Sequence, residues 1–481
     1  MTTNISRTAA TRFANSIAAR AFGSLTTVVV ALLITAPANV TAQQKEQPPA
    51  PAPAKDFKLP AKKSFTLDNG MKVTLVPFGE IPKVDVQLAV RVGNVDEGPN
   101  EVWLADVMGD LMREGTTSKT GTELSVLAAN MGGSFSTGVS PDELTVFGTA
   151  LSEYAADITK LVAEIALSPA FPESELARIK QNRLRSLALA KSQPATLATE
   201  KFYNLLYPDH PYGRFFPSEA MLQGYTIRQI RDFYDRNVHA SRAHLFIAGR
   251  FDAATVEKAV REAFAGWQSG KAVMPEPAKP FAKRGVYIID RPGAVQSSMY
   301  IGGPTIDNSH ADYIPLVVTN ALLGGSFASR ITKNIREDKG YTYSPYSMIS
   351  TRYRSAFWAE VADVTTAVTG ASISEILKEI DRLQNEPPSA AELKGIQDYI
   401  AGTFTLQNSS RSGFAAMLRT MNLHGLPDSY LTDYVKKVYA VTPADVQRVA
   451  RTYLADDDYL IVIVGDKKAI ESQVAQFGPI Y

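Results

Sequence analysis

Gly70-Met-Lys-Val-Thr-Leu-Val-Pro77 and Gly285-Val-Tyr-Ile-Ile-Asp-Arg-Pro292 are two strand-like runs in which a proline follows a glycine by seven residues. The second run begins 215 residues after the first. Both runs are rich in β-branched and apolar residues and are bounded by turn-forming residues, which is typical of a buried strand. A single match of this kind is weak, so its value depends on a second match at the same offset.

The second match is a helix start that leads into a strand. Thr226 is followed three residues later by Gln229, and Thr442 by Asp445, which is the spacing of a capping box. A strand-like run ending in glycine lies 23 residues beyond each threonine, and the two copies are 216 residues apart. Two landmarks that agree to one residue predict two homologous domains of about 200 residues each.

The mixture of strands and helices predicts α+β domains. Residues 84–92 and 144–150 have the apolar patterns of strands, whereas residues 174–190 and 371–383 carry apolar residues at helical spacing. The elements do not follow a strict β-α-β rhythm, so we expect each domain to be a mainly antiparallel sheet covered by helices on one face. No G-x-G-x-x-G motif follows a strand, and no P-loop is present, which excludes the common nucleotide-binding folds.

The repeat also predicts the domain boundaries. We expect a first domain at 57–268, a linker with three prolines at 269–284, and a second domain at 285–481. Gly132-Gly-Ser-Phe135 and Gly324-Gly-Ser-Phe327 are alike, but their offset of 192 differs from that of the repeat. We therefore interpret this match as coincidence.

The start of the chain predicts export. Residues 1–24 contain three arginines and no acidic residue, an apolar run follows, and small residues end at Ala42. This pattern predicts a signal peptide at 1–42, and the apolar run is too short for the alternative of a membrane anchor, which needs about 20 residues. Residues 43–56 are rich in Pro, Ala and Gln and are expected to form an extended tether. We expect a bacterial periplasmic protein without a transmembrane span in its mature chain.

Composition limits the chemistry of the 481 residues. Lys and Arg number 50 against 49 Asp and Glu, so the formal charge of +1 offers no basic surface for nucleic acid. The absence of cysteine excludes disulfides, thiol catalysis and Cys-ligated metal sites. Five histidines remain, at positions 210, 239, 244, 310 and 424.

One helical segment carries a resemblance to a known family. Trp103-Leu-Ala-Asp-Val-Met-Gly-Asp-Leu-Met-Arg-Glu-Gly-Thr116 resembles the active helix of the pitrilysin/insulinase-like zinc peptidases, or inverzincins, whose H-x-x-E-H motif is followed by Gly-Thr. The resemblance implies that the two zinc histidines fall on Asp106 and Asp110 and the general base on Gly109. It places the third zinc ligand, a glutamate in the family, at Arg185 or Ser186.

These replacements remove the family's chemistry from this helix. Asp106 and Asp110 keep the i, i+4 spacing, but they are hard oxygen ligands, and Gly109 cannot accept the proton of a bound water. A divergent two-aspartate metal site is one interpretation, and we favour a solvated helix face or a surface that faces a partner. We expect no metal in this chain.

The histidines do not restore a metal site. Asp235 and His239 are four residues apart, and we favour an exposed helix end there because a third ligand is lacking. His210 and His310 lie in segments with Pro or Asn that predict loops. His424 precedes Gly425 and is expected to cap a helix C-terminus.

The second half contains another family-like segment, from Ser329 to Ser344. In the family, an Arg and a Tyr seven residues apart reach the substrate bound at the zinc site of the opposite domain, and the resemblance places them at Arg336 and Tyr343. Gly340 between them is expected to end a helix, and Tyr341 and Tyr343 to open a strand on one shared face. A permanent cation and a neutral hydroxyl donor can hold a peptide carbonyl and stabilise an oxyanion.

The first half contains a segment where a peptide could add a strand. Gly132, Gly133, Ser134 and Phe135 match the family's substrate-binding edge, where the glycines permit close backbone approach. Catalytic members continue with Asn-Ala, whereas this chain has Ser136-Thr137. This departure counts against peptide binding by the first domain of this chain.

The resemblance includes bacterial two-subunit members, in which one chain carries the zinc helix and the other the Arg/Tyr pair. We expect this chain to be the non-catalytic subunit of a heterodimer, inactive alone, with zinc in a homologous partner that carries H-x-x-E-H and with a peptide substrate between them. One alternative is a non-enzymatic assembly or peptide-binding scaffold of the same fold. Another is an independent metallopeptidase that uses Asp106 and Asp110.

Overall fold

The structure is a computed structural model that describes residues 57–272 and 275–481, so the predicted signal peptide and tether lie outside the described residues. In the first half the strands are β1 (Lys63–Thr66), β2 (Lys72–Pro77), β3 (Lys83–Val90), β4 (Ser134–Val139), β5 (Leu144–Leu151) and β6 (Ala243–Gly249). The helices are α1 (Leu104–Met112), α2 (Gly121–Asn130), α3 (Ala155–Leu167), α4 (Glu173–Ser192), α5 (Pro194–Leu206), α6 (Glu219–Gly224), α7 (Ile227–Asn237) and α8 (Ala253–Phe264).

The second half repeats the pattern. Its strands are β7 (Gly285–Asp290), β8 (Gln296–Thr305), β9 (Tyr346–Arg352), β10 (Ser355–Thr365) and β11 (Leu460–Gly465). Its helices are α9 (Tyr313–Asn320), α10 (Thr369–Asn385), α11 (Ala390–Gln407), α12 (Arg411–His424), α13 (Ser429–Thr432), α14 (Tyr434–Ala440), α15 (Pro443–Tyr453) and α16 (Lys467–Val474). Two π-helical segments, Ala321–Gly325 and Thr332–Asp338, lie between α9 and β9.

The two sheets have the same topology. The first has the order β1-β2-β6-β3-β5-β4 and the second β7-β11-β8-β10-β9, so the second sheet matches the first from β2 onward. In each, the first and the last strand of the repeat pair in parallel and the remaining pairs are antiparallel. The predicted α+β class, with two homologous and mainly antiparallel sheets, is confirmed. The exact boundaries at 268 and 284 stay predictions.

The sequence patterns that predicted the repeat form the expected elements. Thr226 and Thr442 each close a capping box with the residue three positions later, and each helix leads to the strand that pairs in parallel with the first strand of its repeat. The two Gly-Gly-Ser-Phe matches are not equivalent in the fold. Gly132 ends α2 with φ +68°, and its counterpart is Gly340 with φ +65°, whereas Gly324 belongs to a π-helical turn. This difference agrees with the interpretation of the match as coincidence.

Each half contributes one helix that packs on the sheet of the other half. Packing of α5 against β8 and β11 places Phe202 and Tyr203 of the first half beside Phe357 of the second. In return, α12 packs on β3 and β6, where Phe414 lies beside Phe246. The sheet face opposite each domain's own helices is therefore covered by a helix of the other domain. None of the helices in 57–272 and 275–481 is long and apolar enough to cross a membrane.

Candidate functional site

The degenerate zinc helix is α1, and its two aspartates share one arginine. Arg183 on α4 donates from Nε to Asp110 Oδ2 at 2.7 Å and from Nη1 to Asp106 Oδ1 at 3.1 Å. Its Nη2 also donates to the main-chain oxygen of Asp106 at 3.2 Å. The guanidinium therefore lies between the two side chains that replace the family's histidines.

The remaining polar atoms around this ion pair are also satisfied. Asn94 donates to the second carboxylate oxygen of Asp106 at 2.8 Å. Glu97 accepts from the main-chain N–H groups of Trp103 and Ala105, at the start of α1, which provides acceptors for two of the helix's free donors. Burial raises the pKa of Glu97 to about 8, and burial also raises the pKa of Asp106, with Arg183 opposing that shift.

Gly109 leaves space for strand β4 at the position where the family has its general base. Its carbonyl accepts from Thr137 Oγ1 at 2.6 Å, which fastens β4 to α1. A Cβ at this position would lie 2.9 Å from Val139 Cγ2, so a glutamate here would require the side chain of Val139 to shift. The loss of the base is therefore built into the packing between α1 and β4.

The predicted third-ligand positions face elsewhere. Ser186 is exposed, and its hydroxyl donates to the carbonyl of Asn182 at 3.1 Å, while Arg185 pairs with the side chain of Asn182. The residue of α4 that reaches α1 is Arg183, three positions before Ser186. Sequence reasoning missed it because it looked for a carboxylate at a fixed distance from Pro194.

The zinc of the family does not fit these residues. Both candidate carboxylates are held by a guanidinium, whose positive charge opposes a cation at the same place. Among the residues that the structure describes, no group of three or more His, Asp or Glu side chains is arranged to hold a metal ion. Asp106 and Asp110 are part-buried and both bond to Arg183, so they do not form the fully solvated helix face that the sequence favoured. The alternative of a face toward a partner stays a prediction.

The second predicted site has the opposite character. Arg336 makes no ion pair within the described part of the chain, and its guanidinium carbon lies 4.4 Å from the ring centre of Phe327 and 5.1 Å from that of Tyr343. Phe327 is 67% exposed and Tyr343 is 80% exposed. The structure therefore brings Arg336 and Tyr343 together as predicted and adds Phe327, which the sequence reasoning did not select.

The backbone around this pair differs from the expectation in one respect. Gly340 ends the helical segment with φ +65°, as predicted, and the N–H of Tyr341 bonds to the carbonyl of Ile335 at 2.8 Å. The strand that follows begins at Tyr346, however, and not at Tyr341. Tyr341 packs against the core of the second domain while Tyr343 projects into solvent, so they do not share a face.

The predicted peptide-binding segment lies at a sheet edge. Ser134 and Phe135 open β4, which pairs only with β5 among the described strands. Gly132 adopts φ +68°, and a Cβ on Gly133 would lie 1.7 Å from the carbonyl oxygen of Thr149, so glycine is required at both positions. A groove of about 640 Å³ runs beside Gly133, Ser134 and Phe135.

The histidines lie in unrelated surroundings. His244 bonds to Thr74 and Asn422, and burial lowers its pKa to about 4. His424 is the last residue of α12, as predicted, and burial lowers its pKa to about 4 as well. Asp235 is exposed in the last turn of α7, which ends at Asn237, as expected for an exposed helix end, and His239 lies half-buried two residues beyond that helix.

Two family models match the chain one after the other. The model described as "Insulinase (Peptidase family M16)" matches residues 79–216, and the model described as "Peptidase M16 inactive domain" matches residues 225–399. The chain belongs to the peptidase M16 family. The pitrilysin/insulinase-like resemblance of the sequence is thus confirmed, and the M16 chain carries substitutions at the motif positions of its zinc helix.

Relatives of this M16 chain have different names. An "Uncharacterized zinc protease" of Rickettsia bellii is 24% identical over 66% of this chain and 77% of its own length. A "Non-peptidase homolog YmxG" of Helicobacter pylori is 19% identical over 81% of this chain and 90% of its own length. The crystal structure of a peptidase M16 inactive domain from Pseudomonas fluorescens has a TM-score of 0.78 at 24% identity, over 84% of this chain and 98% of that one, which shows the shared fold.

Proposed function

We propose that this M16 chain is the non-catalytic subunit of a heterodimeric, periplasmic zinc metallopeptidase. Its role is to supply Arg336 and Tyr343 to a peptide bound at the zinc site of a homologous partner that carries H-x-x-E-H. The observation that supports this proposal is the contrast between a carboxylate pair closed by Arg183 and an Arg336 that is stacked between exposed aromatic rings without an ionic partner.

The chemistry of the pair suits a peptide carbonyl. Arg336 brings a permanent positive charge with several N–H donors, and Tyr343 brings one O–H donor. Donors placed where negative charge develops on a carbonyl oxygen during hydrolysis stabilise that charge most when the site excludes water. Closure by a partner chain would supply that exclusion, because Tyr343 is exposed and Arg336 is only half-buried in this chain alone.

The edge of β4 offers a second contact for the same peptide. An extended segment can pair with the free side of an edge strand through main-chain hydrogen bonds, which hold a peptide with little dependence on its sequence. Ser134 and Ser136 are exposed along this strand, and the groove beside Phe135 can receive side chains. This contact is proposed as accessory to Arg336 and Tyr343.

The test is a two-chain activity assay. The chain is purified alone and together with an H-x-x-E-H homologue encoded beside it, and both samples are assayed with fluorogenic peptides. We expect hydrolysis only with both chains, a fall of about 10²- to 10³-fold in kcat for Arg336→Ala, and a smaller fall for Tyr343→Phe. Arg228→Ala is the matched control, because that arginine is exposed on α7, with 90% of its side chain accessible, and takes no part in the proposed site.

The outcomes separate this proposal from the scaffold alternative. If the two chains associate but hydrolyse nothing, the chain is a non-enzymatic assembly or peptide-binding protein, a possibility supported by the name of the Helicobacter relative. If the complex is active and both variants keep full activity, the Arg/Tyr role is refuted. Hydrolysis by the purified chain alone, with bound metal, would instead indicate an independent metallopeptidase.

A further inference from the structure

An apolar cavity of about 400 Å³ lies between the first π-helical segment and α11, next to Arg336. Its lining is dominated by apolar side chains and by two aromatic rings that are exposed in the free chain. The lining residues used below are Leu322, Ser326, Phe327, Gly395, Ile396 and Tyr399.

We propose that this cavity binds one large apolar side chain, aromatic in preference to aliphatic, of the peptide that Arg336 holds. The inference rests on the proposed function and names its substrate class: peptides with Phe, Tyr or a similar side chain beside the bound carbonyl.

Phe327 connects the cavity to the Arg336 site. One part of this residue lines the cavity, and its ring lies 4.4 Å from the guanidinium carbon of Arg336. A peptide whose carbonyl accepts from Arg336 therefore has a neighbouring side chain within reach of the cavity. Phe327 and Tyr399 are 67% and 49% exposed, which is unusual for rings that flank an apolar cavity and typical of a surface that receives a ligand.

The polar groups of the cavity favour an uncharged occupant. Glu392 at its rim is held by a two-pronged ion pair with Arg330, at 2.7 and 2.9 Å, so it offers no free charge. Ser326 is only 9% exposed, and its hydroxyl has no hydrogen-bond partner among the described residues. A single unpaired hydroxyl in an apolar pocket can bond to the phenol of a tyrosine, so Tyr is expected to be accepted as well as Phe.

Gly395 allows the cavity to be filled without disturbing the fold. It lies in the middle of α11, where a Cβ would meet nothing within 4 Å, so the substitution Gly395→Leu places its side chain in open space. Helices favour leucine over glycine, so this variant is expected to fold. Gly402 lies in the same helix, also has no atom within 4 Å of a Cβ, and lies outside the cavity lining, so Gly402→Leu is a matched control.

The experiment measures binding to the purified chain by fluorescence polarisation. The probes are labelled, terminally blocked pentapeptides of alanine with Phe, Tyr, Ala or Asp at the central position. We expect the Phe and Tyr peptides to bind about 10- to 100-fold more tightly than the Ala peptide, the range expected for burying one such side chain. Gly395→Leu should reduce Phe and Tyr to the level of Ala, and Gly402→Leu should change nothing.

Failure of the cavity assignment can be distinguished from failure of the proposed function. Equal binding of the four peptides, absence of binding, or unchanged discrimination in Gly395→Leu overturns the cavity assignment. Arg336→Ala is expected to weaken all peptides by a similar factor and leave the Phe-to-Ala ratio unchanged. If discrimination by the cavity is observed but the two-chain complex shows no hydrolysis, the pocket stands and the catalytic role fails.

Discussion

The two halves of the molecule use arginine in opposite ways. In the first half, Arg183 is enclosed by α1 and α4 and bonds to two carboxylates and a carbonyl oxygen. In the second half, Arg336 lies between two exposed rings, and no acidic side chain of the described residues pairs with it. The first arginine has three acceptors within the fold, whereas the second has donors that remain available to another molecule.

The difference separates a structural role from a binding role. A charge that is partly withdrawn from water needs partners within the fold, because desolvation costs several kcal/mol when the charge is unpaired. Arg183 and Arg336 are both half-buried, but Arg183 has carboxylate partners, whereas Arg336 is stacked on Phe327 and Tyr343 and has no acidic partner among the described residues. The comparison predicts that changes in the first half act on stability and changes near Arg336 act on binding and hydrolysis.

Removal of Arg183 is expected to have the largest effect on stability. Arg183→Ala leaves Asp106 without its cationic partner and Asp110 with only Arg113, at 3.5 Å. Breaking a buried pair costs about 3–5 kcal/mol, and we expect the lower end of that range because these side chains are part-exposed. Burial raises the pKa of Asp106, so the loss should grow as the pH rises above the ordinary pKa range of an aspartate. Urea unfolding at several pH values measures this loss in the free energy of unfolding.

The neighbouring arginine on the same helix is the control for this experiment. Arg185 is exposed and pairs only with Asn182, so Arg185→Ala should change the free energy of unfolding by less than about 0.5 kcal/mol. Equal effects of the two substitutions would contradict the view that Arg183 replaces the metal as the bridge between α1 and α4.

Restoration of the family's H-x-x-E-H motif is not expected to restore zinc binding. The triple substitution Asp106→His, Gly109→Glu and Asp110→His forces a side chain against Val139, and overpacking of this kind costs about 1–3 kcal/mol. Arg183 remains at the centre and repels a cation, so we expect no stoichiometric zinc in the purified variant, measured by elemental analysis. Zinc binding by the triple variant with Arg183 unchanged would contradict the view that the charge of Arg183 excludes a cation. Zinc binding only after the additional substitution Arg183→Gln would support that view.

Local patterns account for what could be predicted of this fold. The capping residues Thr226 and Thr442 act through neighbours three positions away, so they mark the same helix starts in sequence and in structure. The glycine requirement at Gly340 is likewise local, since it depends on a positive φ. These signals were sufficient for the repeat and the α+β class, whereas the pairing of Arg336 with Tyr343 was predicted from the family resemblance.

The features that sequence reasoning missed depend on distant packing. Arg183 reaches α1 because α4 packs beside it, and a long side chain can act from one turn earlier than the glutamate of the family. The exchange of α5 and α12 between the domains joins residues far apart in the chain, such as Phe202 and Phe357. No periodicity within α5 shows which of the two sheets it covers.

Glu97 is expected to give the first half a pH signature. Its pKa is raised to about 8 from an ordinary value of 4.5, so the folded state holds a proton that the unfolded state has lost. Its contribution is full below about pH 4.5 and is lost as the pH rises to about 8. Between pH 6.5 and 8, wild type should lose stability more steeply than Glu97→Gln, as measured by urea midpoints, because the other titrating groups are common to both proteins.

The effect of Arg336→Ala on hydrolysis by the two-chain complex is expected to lack this dependence on pH. No acidic group in residues 57–272 or 275–481 pairs with Arg336, so the effect of Arg336→Ala on hydrolysis should keep the same size across pH 6.5 to 8. A Glu97→Gln variant with an unchanged slope of stability against pH would refute the assignment of that proton to Glu97.

The smallest expected effect belongs to Ser186, one of the two positions that the family resemblance offered for the third zinc ligand. Its side chain is exposed and donates only to the carbonyl of Asn182, one turn earlier in α4, a local bond that water can replace. Ser186→Ala should therefore change the free energy of unfolding by less than about 0.5 kcal/mol and leave peptide binding unchanged. A loss above about 1 kcal/mol, within the range of a typical buried hydrogen bond, would show that this position still holds part of the old site together. A neutral result would mean that Arg183 alone has taken over the contact between α4 and the two aspartates.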